Sequence, residues 1–192
     1  MTIKSIAVYC SASDRVAPKY KEAAKQVGHL LAKESIRLVY GGGDTGLMKI
    51  VSDACMEAKG QVLGVMTEYL EDFEDLNLNI TELRIEKCMH SRKKKMFLEA
   101  DGFLVLPGGL GTLDEIFEVL TWKQIDLHTK PIVFLNQDGF WDPLIPLMDT
   151  MIQEKTAPVW TKDLYSIVSD VGDILKGFRN SIQASHNSHN KW

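Results

Sequence analysis

Apolar residues along the chain follow two periods in alternation. Short runs rich in β-branched residues have the pattern of buried strands: "IKSIAVYC" (3–10), "IRLVY" (36–40), "QVLGVM" (61–66), "GFLVL" (102–106) and "KPIVFLN" (130–136). Between them the spacing becomes helical. "PKYKEAAKQVGHLLAKES" (18–35) has Pro18 near its start, and "LMKIVSDACMEAKG" (47–60) ends at Gly60 as a C-cap. "RKKKMFLEA" (92–100), "TLDEIFEVLTWKQIDL" (112–127) and "WDPLIPLMDTMIQEK" (141–155) are the next helices. "YSIVSD" (165–170) reads as one more short strand before the helical "VGDILKGFR" (171–179). Residues 67–88 are the least regular part, a long loop with a short strand or helical turn inside. The end, "NSIQASHNSHNKW", is polar and reads as disordered. No internal repeat or interior linker interrupts the series.

Strands that alternate with helices make βαβ units. The fold class is therefore α/β: a doubly wound parallel sheet with helices on both faces. A single domain covers residues 1–180, and residues 181–192 form the tail. Ligands in such sheets bind beyond the carboxyl ends of the strands, near the point where the strand order reverses. Both glycine-rich turns of the chain, "GGGDTG" after the second strand and "PGGLGT" after the fourth, fall at carboxyl ends.

"PGGLGTLDE" (107–115) carries the strongest chemical signal. Glycines let a backbone approach a ligand closely, and a helix start offers unpaired N–H groups and partial positive charge. Together they suit an anion, most often phosphate. Thr112 is placed to cap the helix and to donate its hydroxyl to an oxyanion. The competing reading is a tight strand-to-helix turn without a ligand, for which one glycine is enough. Glu115, three residues after Thr112, fits a capping box; it also fits a carboxylate working beside whatever the turn anchors. Asp114 points elsewhere and reads as an acid that compensates the helix dipole.

In "YGGGDTGLM", Gly41, Gly43 and Gly46 match G-x-G-x-x-G, a weak match to a dinucleotide fingerprint because it follows the second strand. Leu47 stands where a Walker A loop needs lysine. The glycines serve either close packing of strand and helix or, as preferred here, a second wall of the same pocket (Gly42, Gly43, Gly46), with Met89 beside it. In "HSRKKKMF", Ser91 is a candidate N-cap, which puts four cations in a first turn where the dipole favours anions. An anionic ligand would resolve that conflict, and a merely solvated basic face is the alternative. Arg92, with its planar fork, is the best candidate for the ligand; Lys94 and Lys95 read as solvated.

Composition narrows the classes without choosing among them. The chain has 192 residues, 45% hydrophobic and 25% charged, as in ordinary globular domains. A net charge of −4 gives no broad attraction to nucleic acid or membrane surfaces. No apolar run nears the roughly 20 residues of a membrane span, and "MTIKSIAVYCSASD" lacks the features of a signal peptide. Cys10, Cys55 and Cys88 are widely spaced and odd in number, which argues for a reducing cytoplasm over a disulfide framework or zinc site. No H-E-x-x-H or G-x-S-x-G occurs, and the histidines are scattered.

"GGGDTGLM", "MHSRKKKM" and "PGGLGTLDEIFEVLTW" resemble the motifs of the LOG (Lonely Guy) family of phosphoribohydrolases, long mislabelled as lysine decarboxylases. The similarity spans roughly residues 4–180. The combination R-K-x-x-M and P-G-G-x-G-T-x-x-E, here Arg92, Lys93, Met96 and then Pro107 to Glu115, is its most specific part. Lys49 departs from the pattern, where glycine is frequent. The resemblance implies a Rossmann-like homodimer that cleaves the N-glycosidic bond of a nucleoside 5′-monophosphate, giving free base and ribose 5-phosphate. Family substrates are cytokinin riboside monophosphates and AMP. By position, Arg92 and Glu115 are implied as the catalytic pair. The turn and helix start (Gly108, Gly109, Leu110, Gly111, Thr112, Leu113, Asp114) are implied around the phosphate, with Glu74, Lys93 and Thr121 as further nucleotide contacts. It gives no reason to expect pyridoxal phosphate or a metal. Two rivals follow from the residues: a non-catalytic nucleotide sensor, for which Glu115 would be superfluous, and an oxidoreductase resting on G-x-G-x-x-G alone.

Overall fold

The computed structural model describes residues 3–71 and 75–184. Seven strands, β1 (Ser5–Tyr9), β2 (Arg37–Tyr40), β3 (Val62–Thr67), β4 (Glu82–Glu86), β5 (Gly102–Val105), β6 (Ile132–Leu135) and β7 (Ser166–Val168), form one sheet in the order β4-β3-β2-β1-β5-β6-β7. Every strand pairing in it is parallel. The central strands are buried on both faces, which is why they read as continuous apolar runs. On one face lie helices α1 (Pro18–Lys33) and α2 (Gly46–Glu57), around a core that includes Val27, Leu31, Leu47 and Val51. On the other lie α4 (Met89–Glu99), α5 (Leu110–Gln124) and α6 (Leu144–Gln153), around Met96, Phe103, Ile116, Leu120 and Phe134. Helix α7 (Ile174–Ala184) closes the first face through Ile174 and Phe178. A single turn, α3 (Glu68–Glu71), and the edge strand β4 are the short elements expected within 67–88.

From β1 the chain winds outward through β2 and β3 to β4, then returns to lay β5 on the other side of β1. The order reverses there, so the loops after β1 and β5 part and leave a crevice at the carboxyl edge.

Several local expectations are corrected. Helix α7 continues to Ala184, beyond the predicted domain end at 180. Within it Ser181 is buried, its hydroxyl accepting from the Ile132 N–H at 3.3 Å, so the register with β6 carries the helix on. Residues 185–192 of the predicted tail lie outside the described residues. The C-cap of α2 is not Gly60. Lys59 takes the left-handed conformation (φ 61°), and Gly60 N–H reaches back to Cys55 O at 2.8 Å. Glycine is needed at 60 for closeness, since a Cβ there would press on the Cys55 sulfur and Ala32.

Candidate active site

Three loops meet above the carboxyl ends of β1, β2 and β5, and backbone hydrogen bonds lace them together. Ser11 N–H donates to Pro107 O (3.1 Å), joining the β1 loop to the glycine turn. Leu47 N–H donates to Ser11 O (2.9 Å), and Gly46 N–H to the Asp14 carboxylate (2.9 Å), joining the β1 loop to the start of α2. The cavity they bound is about 370 Å³. One wall is the start of α5, through Gly109, Gly111, Thr112 and Glu115; Arg92 and Met89 come from α4. Cys10, Ser11 and Ala12 follow β1, and Met48 and Leu70 complete the lining.

Helix α5 begins two residues earlier than its apolar period suggested. Its N-cap is Gly109, with no side-chain capping bond, so Thr112 is the third helical residue and not the cap. That removes the capping-box explanation of Glu115. The N–H groups of Leu110, Gly111 and Thr112 open the helix ahead of the first intrahelical bond, Leu113 N–H to Gly109 O. Thr112 is 3% exposed and lines the cavity, and its hydroxyl bonds to no other described residue. A Cβ built on Gly109 or Gly111 would meet nothing within 4 Å, and neither residue has positive φ. Among the described residues, no contact or torsion calls for glycine at either position. Gly108 differs: a side chain there would collide with Thr112, so it serves packing.

Arg92 is 6% exposed and held from three sides. Its Nε donates to Val65 O at the end of β3 (2.8 Å), and Nη2 to Gly41 O beyond β2 (3.1 Å). Nη1 lies 3.4 Å from Glu115 Oε1. A side chain on Gly41 would occupy the guanidinium's place, so this glycine makes room for Arg92. The Glu115 side chain is 12% exposed, and a carboxylate so far out of water needs a cation beside it. Arg92 is that cation. Burial, and then the Glu115 charge, push the Cys10 thiol well above its ordinary range, so it is a neutral part of the wall and not a nucleophile. The Tyr9 phenol, fully buried below, is raised by the same causes in the same order.

The remaining predicted residues divide. Gly42, Gly43 and Gly46 do not line the cavity. Gly42 (φ 81°) and Gly46 (φ 55°) turn the backbone, Gly43 bridges to Leu76, and Met48 is the residue of this segment that lines the cavity. Helix α4 starts at Met89, capped reciprocally by Cys88 and Ser91, so Ser91 is not its N-cap. Arg92 then opens the second turn, and the predicted conflict between first-turn cations and the dipole largely disappears. The Lys93 ammonium lies between Asp114 (3.1 Å) and Glu118 (3.4 Å), clamping α4 to α5 outside the cavity. Thr121 is exposed, its hydroxyl donating to Phe117 O. Leu113, on α5 and partly buried, packs against the core, and Leu110 is 86% exposed. Glu74 lies outside the described residues. Lys49 is bonded to Asp44 (2.6 Å) and Asp53 (3.3 Å) and does not line the cavity. The sequence reading missed Cys10, Ser11, Ala12, Met48 and Leu70. For the first three a signal was present: "CSA" directly follows the strand at which the order reverses. Leu70, an apolar residue in an irregular stretch, offered none.

A second hollow, about 420 Å³, sits at the opposite edge of the sheet, where α1 and α2 end. Its arginines, Arg37 and Arg84, are already paired with Glu82 and Glu99, and the exposed Lys59 also lines it.

Residues 48–178 match a family model described as "possible lysine decarboxylase". The chain is 43% identical over 151 residues to the cytokinin riboside 5′-monophosphate phosphoribohydrolase LOG7 of Arabidopsis thaliana, covering 79% of this chain and 70% of that one. It is 41% identical over 151 residues to LOG2 of the same plant, covering 79% and 71%. Its fold also matches the molybdenum cofactor carrier protein of Chlamydomonas reinhardtii, with a TM-score of 0.71 at 18% identity, covering 95% of this chain and 99% of that one. The decarboxylase description does not fit the residues present. Pyridoxal chemistry needs a lysine amine for the Schiff base, and no lysine lines the cavity among the described residues. The buried Lys123 and the half-buried Lys130 donate to the carbonyls of Leu164 and Phe97.

Proposed function

The chain belongs to the LOG family of cytokinin riboside 5′-monophosphate phosphoribohydrolases, and we propose from its own cavity how it performs that reaction. It is an N-glycosidase: nucleoside 5′-monophosphate and water give free base and ribose 5-phosphate. The observation that carries the reading is the open cradle at Gly109 and Gly111, at the start of α5, with Thr112 lining the same cavity. There we place the 5′-phosphate. Glu115 lies one turn further into α5 and lines the same cavity.

When the C1′–N bond breaks, its electron pair leaves with the base and positive charge develops on the ribose. The Glu115 carboxylate stabilises that charge or orients the water that attacks C1′. Arg92 has two nitrogens committed to backbone carbonyls and the third toward Glu115, which supports a positioning role over protonation of the base. Phosphate binding fixes the sugar against the carboxylate, so remote binding energy lowers the barrier. Met48, Leu70 and Met89 give the cavity an apolar side, suited to a purine such as adenine.

The working unit in this reading is a homodimer. Leu110, Phe117 and Thr121 share one stripe of α5 that the C-cap residue Ile125 continues, and Leu110 and Ile125 are largely exposed. A second copy over this stripe would cover them and bring Thr121 toward the partner's nucleotide. The compartment is the cytoplasm, supported by three free cysteines.

The test is base release from AMP, GMP, CMP and an N6-prenylated AMP, with adenosine alongside. Purine monophosphates should be cleaved, and adenosine at least ~1,000-fold less efficiently, since hydrogen bonds to a charged group are each worth roughly 1.5–3 kcal/mol. Equal kcat/KM for AMP and adenosine would refute the phosphate cradle. A monomeric mass by light scattering from a fully active sample would refute the dimer.

A further inference from the structure

The β1 loop contributes a donor that the glycine-turn motif does not contain. Ser11 lines the cavity together with Gly109, Gly111 and Thr112. Its main chain is fixed on both sides: the N–H donates to Pro107 O at 3.1 Å, and the carbonyl accepts from Leu47 N–H at 2.9 Å. Its side-chain oxygen is fixed as well, accepting from Ser13 N–H at 3.1 Å. What remains is the hydroxyl proton, which has no acceptor among the described residues. A hydroxyl that already accepts a hydrogen bond is polarised toward donating a second.

We propose that Ser11 is a phosphate-binding residue of this chain, its hydroxyl donating to the 5′-phosphate held at the start of α5. The proposal rests on the nucleotide reading above. Phosphate is favoured over the ribose because Ser11 is tied to Pro107, the residue that opens the glycine turn, and not to the Glu115 side of the cavity. An anionic oxygen is also the acceptor for which such a donor is strongest. Ser11 then opposes the N–H groups of α5 across the anion. The phosphate is gripped by two loops that flank the reversal of strand order, so its binding reports on their spacing.

The experiment compares Ser11→Ala and Ser11→Thr with the wild type, measuring kcat/KM for AMP and for adenosine, competitive inhibition by inorganic phosphate, and thermal melting. Ser13 is exposed, so water can serve its N–H and Ser11→Ala should melt as the wild type does. Ser11→Ala should lower kcat/KM for AMP roughly 10–100-fold, the worth of one hydrogen bond to a charged group, and weaken phosphate inhibition similarly. Adenosine hydrolysis should be unchanged, and Ser11→Thr should keep wild-type behaviour. Equal losses with AMP and adenosine, or unchanged phosphate inhibition, would overturn the proposal. If the wild type itself fails to prefer AMP and is not inhibited by phosphate, the cradle reading falls and Ser11 with it. If the wild type prefers AMP and Ser11→Ala keeps the same preference, only Ser11 falls.

Discussion

Gly111→Ala separates stability from activity at the site. Gly111 is the second residue of α5, not at positive φ, and an added methyl meets no heavy atom within 4 Å. Replacing glycine by alanine in such a place reduces the freedom of the unfolded chain and stabilises by about 0.5–1 kcal/mol. For a domain of this size that raises the Tm by roughly 1–4 °C. Cβ atoms of a helix lean toward its N-terminus, which here is the cavity. The methyl would occupy the space of an oxygen bonded to the helix N–H groups at about 2.9 Å. A phosphate forced outward by about 1 Å draws the ribose off Glu115, and a misplacement of that size costs on the order of 100-fold. The assay is adenine release from AMP beside a thermal melt, with Gly172→Ala as a control, since Gly172 is an equally open glycine outside the cavity. A Gly111→Ala protein that melts higher and turns over AMP as the wild type does would refute the reasoning. The open cradle would then hold no phosphate.

Glu115→Gln, nearly isosteric, should keep AMP binding by calorimetry while kcat falls by roughly 100-fold or more; unchanged kcat would mean the carboxylate is only structural. Arg92→Lys cannot reproduce a fork held by Val65 O, Gly41 O and Glu115, so it should cost about 1–3 kcal/mol in a urea titration and reduce kcat more than it raises KM. The His128 ring is held neutral, its Nε2 paired with Val119 O and its Nδ1 accepting from Lys130 N–H. Burial first, then the nearby Lys123 and Lys130 charges, lower its pKa to about 4 against the opposing pull of Val119 O. The unfolded chain binds this proton from about pH 6.5 downward and the folded chain only near 4. The contribution of His128 is therefore complete above pH 6.5 and lost as the pH falls toward 4, about 1–3 kcal/mol after discounting for partial exposure. Urea midpoints measured from pH 7 to 4.5 should fall less steeply for His128→Gln than for the wild type; parallel curves would refute the assignment.

The elements and the class of fold were legible in the local pattern of the chain. Buried parallel strands must be continuously apolar and their crossover helices amphipathic, and both signals are local, carried by neighbours one or four residues away. The glycine turn was legible for the same reason, since its chemistry lies within a few consecutive residues from Gly108 to Glu115. Helix starts were not, because a cap is decided by backbone geometry. The N-caps of α4 and α5 are Cys88 and Gly109, with Ser91 and Thr112 inside the helices. Tertiary structure also decided what the second glycine cluster is for. Gly41 admits a guanidinium that arrives from 51 residues away, and that guanidinium is anchored as well by a carbonyl 27 residues from it. The β1 loop became part of the site only when the returning chain laid β5 beside β1 and brought Pro107 within hydrogen-bond reach of Ser11. Spacing along a chain encodes which element forms. Which side chains share a cavity depends on how the sheet orders its strands, and that is settled by packing the two helical layers against it.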